Sequence, residues 1–340
     1  MKKEKSRKRS RKRTPWEGKE KLTPTQSFLK ENYDTFYSER HRKIEDSGEA
    51  EIINSYVPSK CPFCQTEKMK KSGRTRSGVQ RYMCISCSKT FVPTTGTIFD
   101  EHRISISEWT EYCLNLFRHV SITADSWNNK NAFKTSRYWL AKLFLTLEEI
   151  QANVVLSGKI WLDETFYTVR AADIVHTENG NRLPGISQNQ ICIGVATDKK
   201  HTVLHTLGMG RPPQKKVYET FKNHIEPGSL LFHDKETTHR KLVTALSLKS
   251  TAYSSKNLKG LPDNENPMHP VNRVHFVLKA FLNAHSGFDR KDIQGFLNLF
   301  AFISNPPDNL LEKVEIIVNL AFQNPKLLRY RDFYAHNSHI

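Results

Sequence analysis

A chain of 340 residues, 37 % hydrophobic and 26 % charged, holds enough apolar material for a buried core in two or three domains, which excludes a wholly disordered protein. Its formal net charge of +17 favours a polyanionic partner, because each Lys or Arg that neutralises a phosphate releases a counterion. The longest apolar stretch, around residues 296–303, is far too short to span a bilayer, and no apolar segment follows the basic N-terminal block as in a signal peptide, so the sequence reads as cytoplasmic, or nuclear if the source is a eukaryote.

Residues 2–13 (KKEKSRKRSRKR) carry nine bases against Glu4, a net +8 that is nearly half of the total. Such a block repels itself and buries no core, so it is expected to be disordered alone; the pattern suits a phosphate-tracking arm, a nuclear address or a solubilising tail. A weakly amphipathic helix over 26–42 and a polar linker through Asp46 follow, making 1–57 a tail and linker. A cysteine cluster occupies 58–97. From Ser105 the spacing turns helical: Trp109, Tyr112, Cys113, Leu116 and Phe117 recur at i, i+3, i+4, i+7 and i+8. After a polar break, a second helix runs from Thr135 through Trp139, Leu140, Leu143, Phe144 and Leu147, so 103–150 reads as a helical pair. Beyond Gly158 the texture is β-rich. Strands are predicted at 159–170, 190–197, 202–209, 229–233 and near 250–254, with helices at 214–224 and 239–246 and more helices after Pro270. Strands first, then helix alternating with strand, is an α/β order for 158–330.

Four patterns carry chemistry. Cys61-Pro-Phe-Cys64 and Cys84-Ile-Ser-Cys87, nineteen residues apart, are two C-x2-C knuckles whose four thiolates suit one tetrahedral Zn²⁺. The arm between them, with Arg74, Arg76 and Arg81, is expected to be a cationic β-hairpin; such a module either binds DNA or braces a neighbouring element, and the basic arm favours DNA. Cys113 and Cys192 stand alone in apolar stretches and are expected to be buried core thiols. The helical pair fits a helix-turn-helix as well as plain helical packing; in the first case Ser136, Arg137 and Lys142 are candidate DNA contacts. Asp163 lies inside the apolar run Trp161-Leu-Asp-Glu, where a carboxylate needs a partner or a metal, and Asp234 closes the run Leu230-Leu-Phe-His. Two carboxylates from neighbouring strands suit Mg²⁺, while Glu164, on the other side of the strand by alternation, is expected to stay out of that site. On the helix from Pro270, Asn272, His275 and Lys279 share a face at i, i+3 and i+7, which on pattern alone is a solvated polar face.

Taken in order, these pieces resemble the zinc-ribbon insertion-sequence transposases with an RNase H-like (DDE-type) catalytic domain. The local wording that carries the resemblance is Cys61-Pro-Phe-Cys with Gln80-Arg-Tyr-Met-Cys-Ile-Ser-Cys-Ser-Lys-Thr-Phe91, Thr135-Ser-Arg-Tyr-Trp-Leu-Ala-Lys142, Trp161-Leu-Asp-Glu-Thr-Phe-Tyr167, Asn272-Arg-Val-His-Phe-Val-Leu-Lys279 and Gln294-Gly-Phe-Leu-Asn-Leu-Phe300. It covers roughly residues 58–330. The resemblance implies a structural Zn²⁺ and a catalytic site of Asp163, Asp234 and a third group on the last helix. Many relatives carry Glu at that third position; this chain has His275, flanked by Asn272 and Lys279, and an imidazole suits Mn²⁺ better than Mg²⁺. The resemblance further implies binding to double-stranded element ends and target DNA as a dimer or larger assembly. Metal-activated water would cut one strand, and the freed 3′-hydroxyl would attack the target while Lys279 or Arg273 faces the developing phosphate charge. The alternative is a zinc-ribbon DNA-binding regulator, or a decayed copy, with an inactive α/β domain. Convergence of Asp163 and Asp234 separates the two readings.

Overall fold

The computed structural model describes residue 16 and residues 18–39, 49–100, 105–128, 131–234, 237–285 and 287–335; the basic block 2–13 lies outside them. The chain divides into two compact units, Met1–Thr95 with Phe99–Glu111, and Gly96–Ile98 with Tyr112–Ile340.

In the first unit, helix α1 (Pro24–Glu39) starts two residues before the predicted Gln26 because a capping box sets its end. The amide of Gln26 donates to Thr23 Oγ1 and that of Thr23 to Gln26 Oε1, both at 3.2 Å. Helix α2 (Ala50–Ser55) precedes an antiparallel sheet of β1 (Met69–Arg74), β2 (Gln80–Cys84) and β3 (Thr90–Phe91) in the order β1-β2-β3. The β1–β2 turn closes with Gly78 N donating to Thr75 O at 3.0 Å, and Gly78 takes φ +83, which a residue without Cβ adopts at no steric cost. Tyr82 stacks on Phe91 with centroids 5.9 Å apart, over the buried Cys61 and Cys84. Glu49, in the stretch expected to be a polar linker, is buried instead. Its carboxylate accepts the amides of Ile106 (2.6 Å) and Ser107 (2.8 Å), two of the orphan donors that open helix α3 (Ile106–Phe117).

The second unit adds α4 (Ile122–Asn128) and α5 (Phe133–Ala152). Three strands follow, β4 (Lys159–Thr168), β5 (Gln190–Thr197) and β6 (Thr202–Met209), each within two residues of its predicted span. After α6 (Gln214–Phe221) come β7 (Leu230–Asp234), α7 (Arg240–Ala245), β8 (Lys249–Tyr253) and α8 (Ser255–Leu258). Helices α9 (His269–Ala284), α10 (Ile293–Ser304), α11 (Leu310–Gln323) and α12 (Tyr330–Ala335) close the chain. The five strands form one sheet in the order β6-β5-β4-β7-β8. β4, β5 and β6 are an antiparallel meander, and β7 and β8 run parallel to β4. Ile160, Leu162 and Leu231 pack with Val217, Phe221 and Leu242 on the α6–α7 side. Alternation sends Trp161, Asp163 and Tyr167 to the other side, where Trp161 Nε1 donates to Pro267 O just ahead of α9 (2.7 Å). The exposed edge of β6 is covered by side-chain amides. Asn305 brackets the backbone of Thr202 (2.7 and 3.0 Å), while Gln294 accepts from Thr206 N (2.9 Å) and donates to Leu204 O (3.1 Å).

The helical region departs from the expected pair. It contains three helices, α3, α4 and α5, and α5 lies along α10 and α11 in the unit that holds the large sheet. An added Cβ at Gly295 of α10 would stand 2.2 Å from the Phe144 ring of α5, so the approach of these helices requires glycine. The candidate DNA contacts on α5 are engaged within the fold. Lys142 is 2 % exposed and donates to Ile98 O at 2.6 Å. Ser136 is buried, its carbonyl taking the Tyr112 hydroxyl at 2.7 Å. Arg137 pairs with Asp292 at 3.6 Å. A lysine buried to this extent offers no cation to a phosphate backbone, which sets Lys142 against its expected role, and the Arg137 guanidinium is engaged by Asp292 within the fold. Arg74, Arg76 and Arg81 belong to the β1–β2 hairpin, as expected, with Arg74 and Arg81 exposed and Ser77 and Gly78 turning the chain beside Arg76.

Candidate functional site

The four cysteines of the first unit converge. Cys61 Sγ lies 3.7 Å from Cys87 Sγ and Cys64 Sγ 3.5 Å from Cys84 Sγ, and all four sulfurs fall within 4.8 Å of one another. Sulfurs about 2.3 Å from one tetrahedral Zn²⁺ stand about 3.8 Å apart, so the set has the size of a zinc site; a disulfide, near 2.0 Å, is excluded and all four are free thiols. The two knuckles repeat the same local folding. Cys61 N donates to Thr66 O (2.8 Å) and Cys84 N to Lys89 O (3.0 Å); Gln65 N and Ser88 N return to the carbonyls of Cys61 and Cys84 (2.9 and 3.0 Å). Gln65 and Ser88 both take positive φ, +61 and +57, which turns each second cysteine back toward the first.

In the second unit the decisive feature is where two strands part. The β4–β7 ladder ends at Leu162 opposite His233. Asp163 and Asp234 are the next residues on each strand; Asp234 closes β7, whereas β4 runs on to Thr168 in its pairing with β5, so the two carboxylates meet where the parallel pair parts. Asp163, Glu164 and Asp234 bring carboxylate oxygens within 4.8 Å of one another. Glu164 thus joins the cluster, contrary to its expected exclusion. Alternation does send it to the opposite side from Asp163, but beyond the last ladder pair no neighbouring strand fills the gap, and side chains from both faces enter it. Burial first, then the charges of Asp234 and Glu164, push the Asp163 carboxyl up to about 7. A carboxylate group so crowded is relieved by a proton or by a cation, and hard oxygen donors fit Mg²⁺ or Mn²⁺.

His275 stands beside this cluster rather than inside it. Its Nδ1 is 4.0 Å from Asp163 Oδ2, and its Nε2 is buried without a hydrogen-bond partner. Burial, then the Lys279 charge, holds it down at about 4, so the ring is neutral at physiological pH. Asn272 and Lys279 are exposed on the same helix. Two further histidines, unassigned from sequence, complete the surroundings. His239, wholly buried in the 3₁₀ turn Thr237–His239, donates through Nε2 to Glu164 Oε1 at 3.1 Å. Its Nδ1 is 3.1 Å from His233 Nδ1 and 3.7 Å from Asp234 Oδ1. Burial works against its charged form, but the hydrogen bond to Glu164 and the nearby carboxylates outweigh burial and raise its pKa. His233 is lowered to about 4 by burial and then by His239. The signal for His233 lies in Phe232-His-Asp234, a polar pair closing an apolar strand, whereas His239 stands in the turn after it and is brought in by the fold.

No family model matches the chain. Over 49 residues, 14 % of this chain, it is 37 % identical to an uncharacterized protein in the transposable element ISH50 of Halobacterium salinarum, and the match spans 16 % of that relative's length. The chain is therefore similar, over that segment, to a transposable-element protein. Among solved structures it is similar to the Mos1 mariner paired end complex with Mn, with a TM-score of 0.30 and 9 % identity over 69 % of this chain and 79 % of that one. It is similar to the catalytic domain of Mos1 mariner transposase at 0.28 and 10 % identity, over 56 % and 95 %. The simian T-cell lymphotropic virus intasome gives 0.28 and 12 % identity, over 56 % and 66 %. Superpositions at these scores define no shared fold, and the architecture rests on this chain's own strand order and register.

Proposed function

We propose that this protein is a DNA transposase of the zinc-ribbon insertion-sequence kind, with an RNase H-like catalytic unit. The observation that carries the proposal is the meeting of Asp163, Glu164 and Asp234 where β4 and β7 part. A meander of three antiparallel strands extended by two parallel ones is the arrangement expected of an RNase H-like sheet, and acidic side chains on its first strand and at the end of its fourth are what metal-dependent strand cutting needs. Asp163, Glu164 and Asp234 hold the divalent cation, Mg²⁺ or Mn²⁺, which when bound supplies an activated oxygen nucleophile and a counter-charge for the phosphate. His275 flanks Asp163 as a neutral ring, and Lys279, Asn272 and Arg273 present their exposed groups to the DNA backbone from α9. In the first unit Cys61, Cys64, Cys84 and Cys87 hold a structural Zn²⁺ that fixes the hairpin bearing Arg74, Arg76 and Arg81 against double-stranded DNA. The protein works at element ends and target as a dimer or larger assembly.

Cleavage of a labelled element end with Mg²⁺ or Mn²⁺ tests the reading. Asp163→Asn and Glu164→Gln are each expected to lower cutting by about a hundredfold or more, since each removes a charged ligand while keeping shape, and both should leave end binding intact. Undiminished cutting by Asp163→Asn would falsify the site. Binding without cutting by the unaltered protein would transfer the chain to the regulator class.

A further inference from the structure

We propose that His233, Asp234 and His239 form a second cation site, selective for a transition metal such as Mn²⁺, Zn²⁺ or Co²⁺, which shares Asp234 with the carboxylate cluster. A ligand atom from each of the three residues lies within 4.8 Å of the others. The hydrogen-bond pattern fixes which ring atoms face inward. Glu164 Oε1 accepts from His239 Nε2 at 3.1 Å, so Nε2 carries a proton, and in the neutral form of the ring the Nδ1 lone pair points the other way. There it meets His233 Nδ1 at 3.1 Å and Asp234 Oδ1 at 3.7 Å. A nitrogen–nitrogen contact this short holds either a proton, one ring donating to the other, or a cation between two lone pairs.

The spacing suits a metal ion. Two nitrogens each about 2.1 Å from one octahedral ion stand about 3.0 Å apart. The outer contact also has the form that metal-bound imidazoles take, the second ring nitrogen donating to a carboxylate that fixes tautomer and orientation. Both imidazoles are held before any ion arrives. His233 lies in β7 between β4 and β8, and His239 is 0 % exposed with its ring at 87° to that of His233. Two imidazole nitrogens and one carboxylate oxygen are a softer donor set than the three carboxylates alongside, so they select against Mg²⁺ and Ca²⁺. Two cation sites of unlike softness then share the Asp234 carboxylate. The competing occupant of the gap is a proton shared between the two imidazoles.

Binding at this site is independent of strand cutting, so it is measured without an activity assay. The zinc-loaded full chain is titrated with Mn²⁺ and examined by pulsed electron paramagnetic resonance with ¹⁴N detection. The expected result is bound Mn²⁺ coupled to two imidazole nitrogens, falling to one in His233→Gln and in His239→Gln and staying at two in Asp163→Asn and His275→Gln. The unaltered protein decides the matter even where a buried-histidine variant does not fold. Bound Mn²⁺ without nitrogen coupling overturns the site in favour of the shared proton, and nitrogen couplings lost in His275→Gln but kept in His233→Gln overturn it in favour of His275. Nitrogen-coupled Mn²⁺ in a protein that never cuts DNA would refute the transposase reading and leave this site standing.

Discussion

Glu164 and Asp163 are adjacent in sequence and on opposite sides of one strand, yet both carboxylates reach the same gap. Three acidic groups this close oppose folding when no cation is bound, and Asp163 records the effect. Its pKa of about 7 in the folded chain lies well above that of an exposed aspartate, so between about pH 4 and 7 the folded state binds more protons than the unfolded one. Stability from this group is therefore greatest below pH 4, falls as pH rises through 7, and is level above. Asp163→Asn removes the charge and should unfold at a higher temperature than the parent at pH 8 in buffer without added divalent cation. The difference should shrink toward pH 4 and vanish or reverse with saturating Mg²⁺ or Mn²⁺. Thermal melts across pH check it, and a variant less stable than the parent at pH 8 would contradict the crowding described here.

Secondary-structure elements in this chain meet at a few points that tolerate no substitution. Gly295 lets α10 lie against the Phe144 ring of α5, with the ring's Cγ only 2.6 Å from where a Cβ would sit. Gly295→Ala gains helix propensity but must push two buried helices apart, and overpacking of this kind costs about 1–3 kcal/mol. Urea unfolding should show that loss, and Phe144→Leu should recover part of it in the double variant. The four-cysteine module depends on its two matching knuckles in the same way. Elemental analysis should find one zinc per chain, absent from the Cys61→Ser/Cys84→Ser double variant, and chelation should melt the ribbon because metal binding and folding are coupled in so small a module. Zinc retained by that double variant would place the ion elsewhere.

Across the whole molecule the charge of +17 is not spread evenly, and its uses differ. Some cations are held inside the fold, as Lys142 and Lys313 are, each donating to buried backbone carbonyls. The arginines of the ribbon hairpin, Arg74, Arg76 and Arg81, are suited to phosphate instead. Replacing all three by Ala should weaken binding to duplex DNA. It should also flatten the dependence of log affinity on log salt by about 0.9 for each phosphate that is no longer neutralised, up to about 2.7. Arg137→Ala should leave that slope unchanged and lower stability instead, because its charge is paired with Asp292. Fluorescence anisotropy at a series of salt concentrations separates the two effects.

The elements and the cysteine cluster were legible before any fold was known, because period and punctuation are local. β5 and β6 match their predicted limits residue for residue, and of the stripe that helical spacing predicts on α9, Val271, Val274, Leu278, Phe281 and Leu282, all but the half-buried Val274 are buried. Paired cysteines carry their own geometry, since a C-x2-C turn aims both sulfurs one way wherever it stands. Asp163 and Asp234 were legible too, as charges misplaced in apolar runs. Which side chains share a space, by contrast, depended on the packing of distant segments. Strand alternation correctly put Glu164 on the far side of β4, but it does not say that the β4–β7 ladder stops at Leu162, two residues earlier, and opens the gap to both faces. Helical spacing put Lys142 on a helix, but not that α10 and α11 would lie along that helix and that its ammonium would turn inward to a backbone carbonyl. Periodicity fixes the direction of a side chain relative to its own backbone; what it meets depends on where the neighbouring element ends.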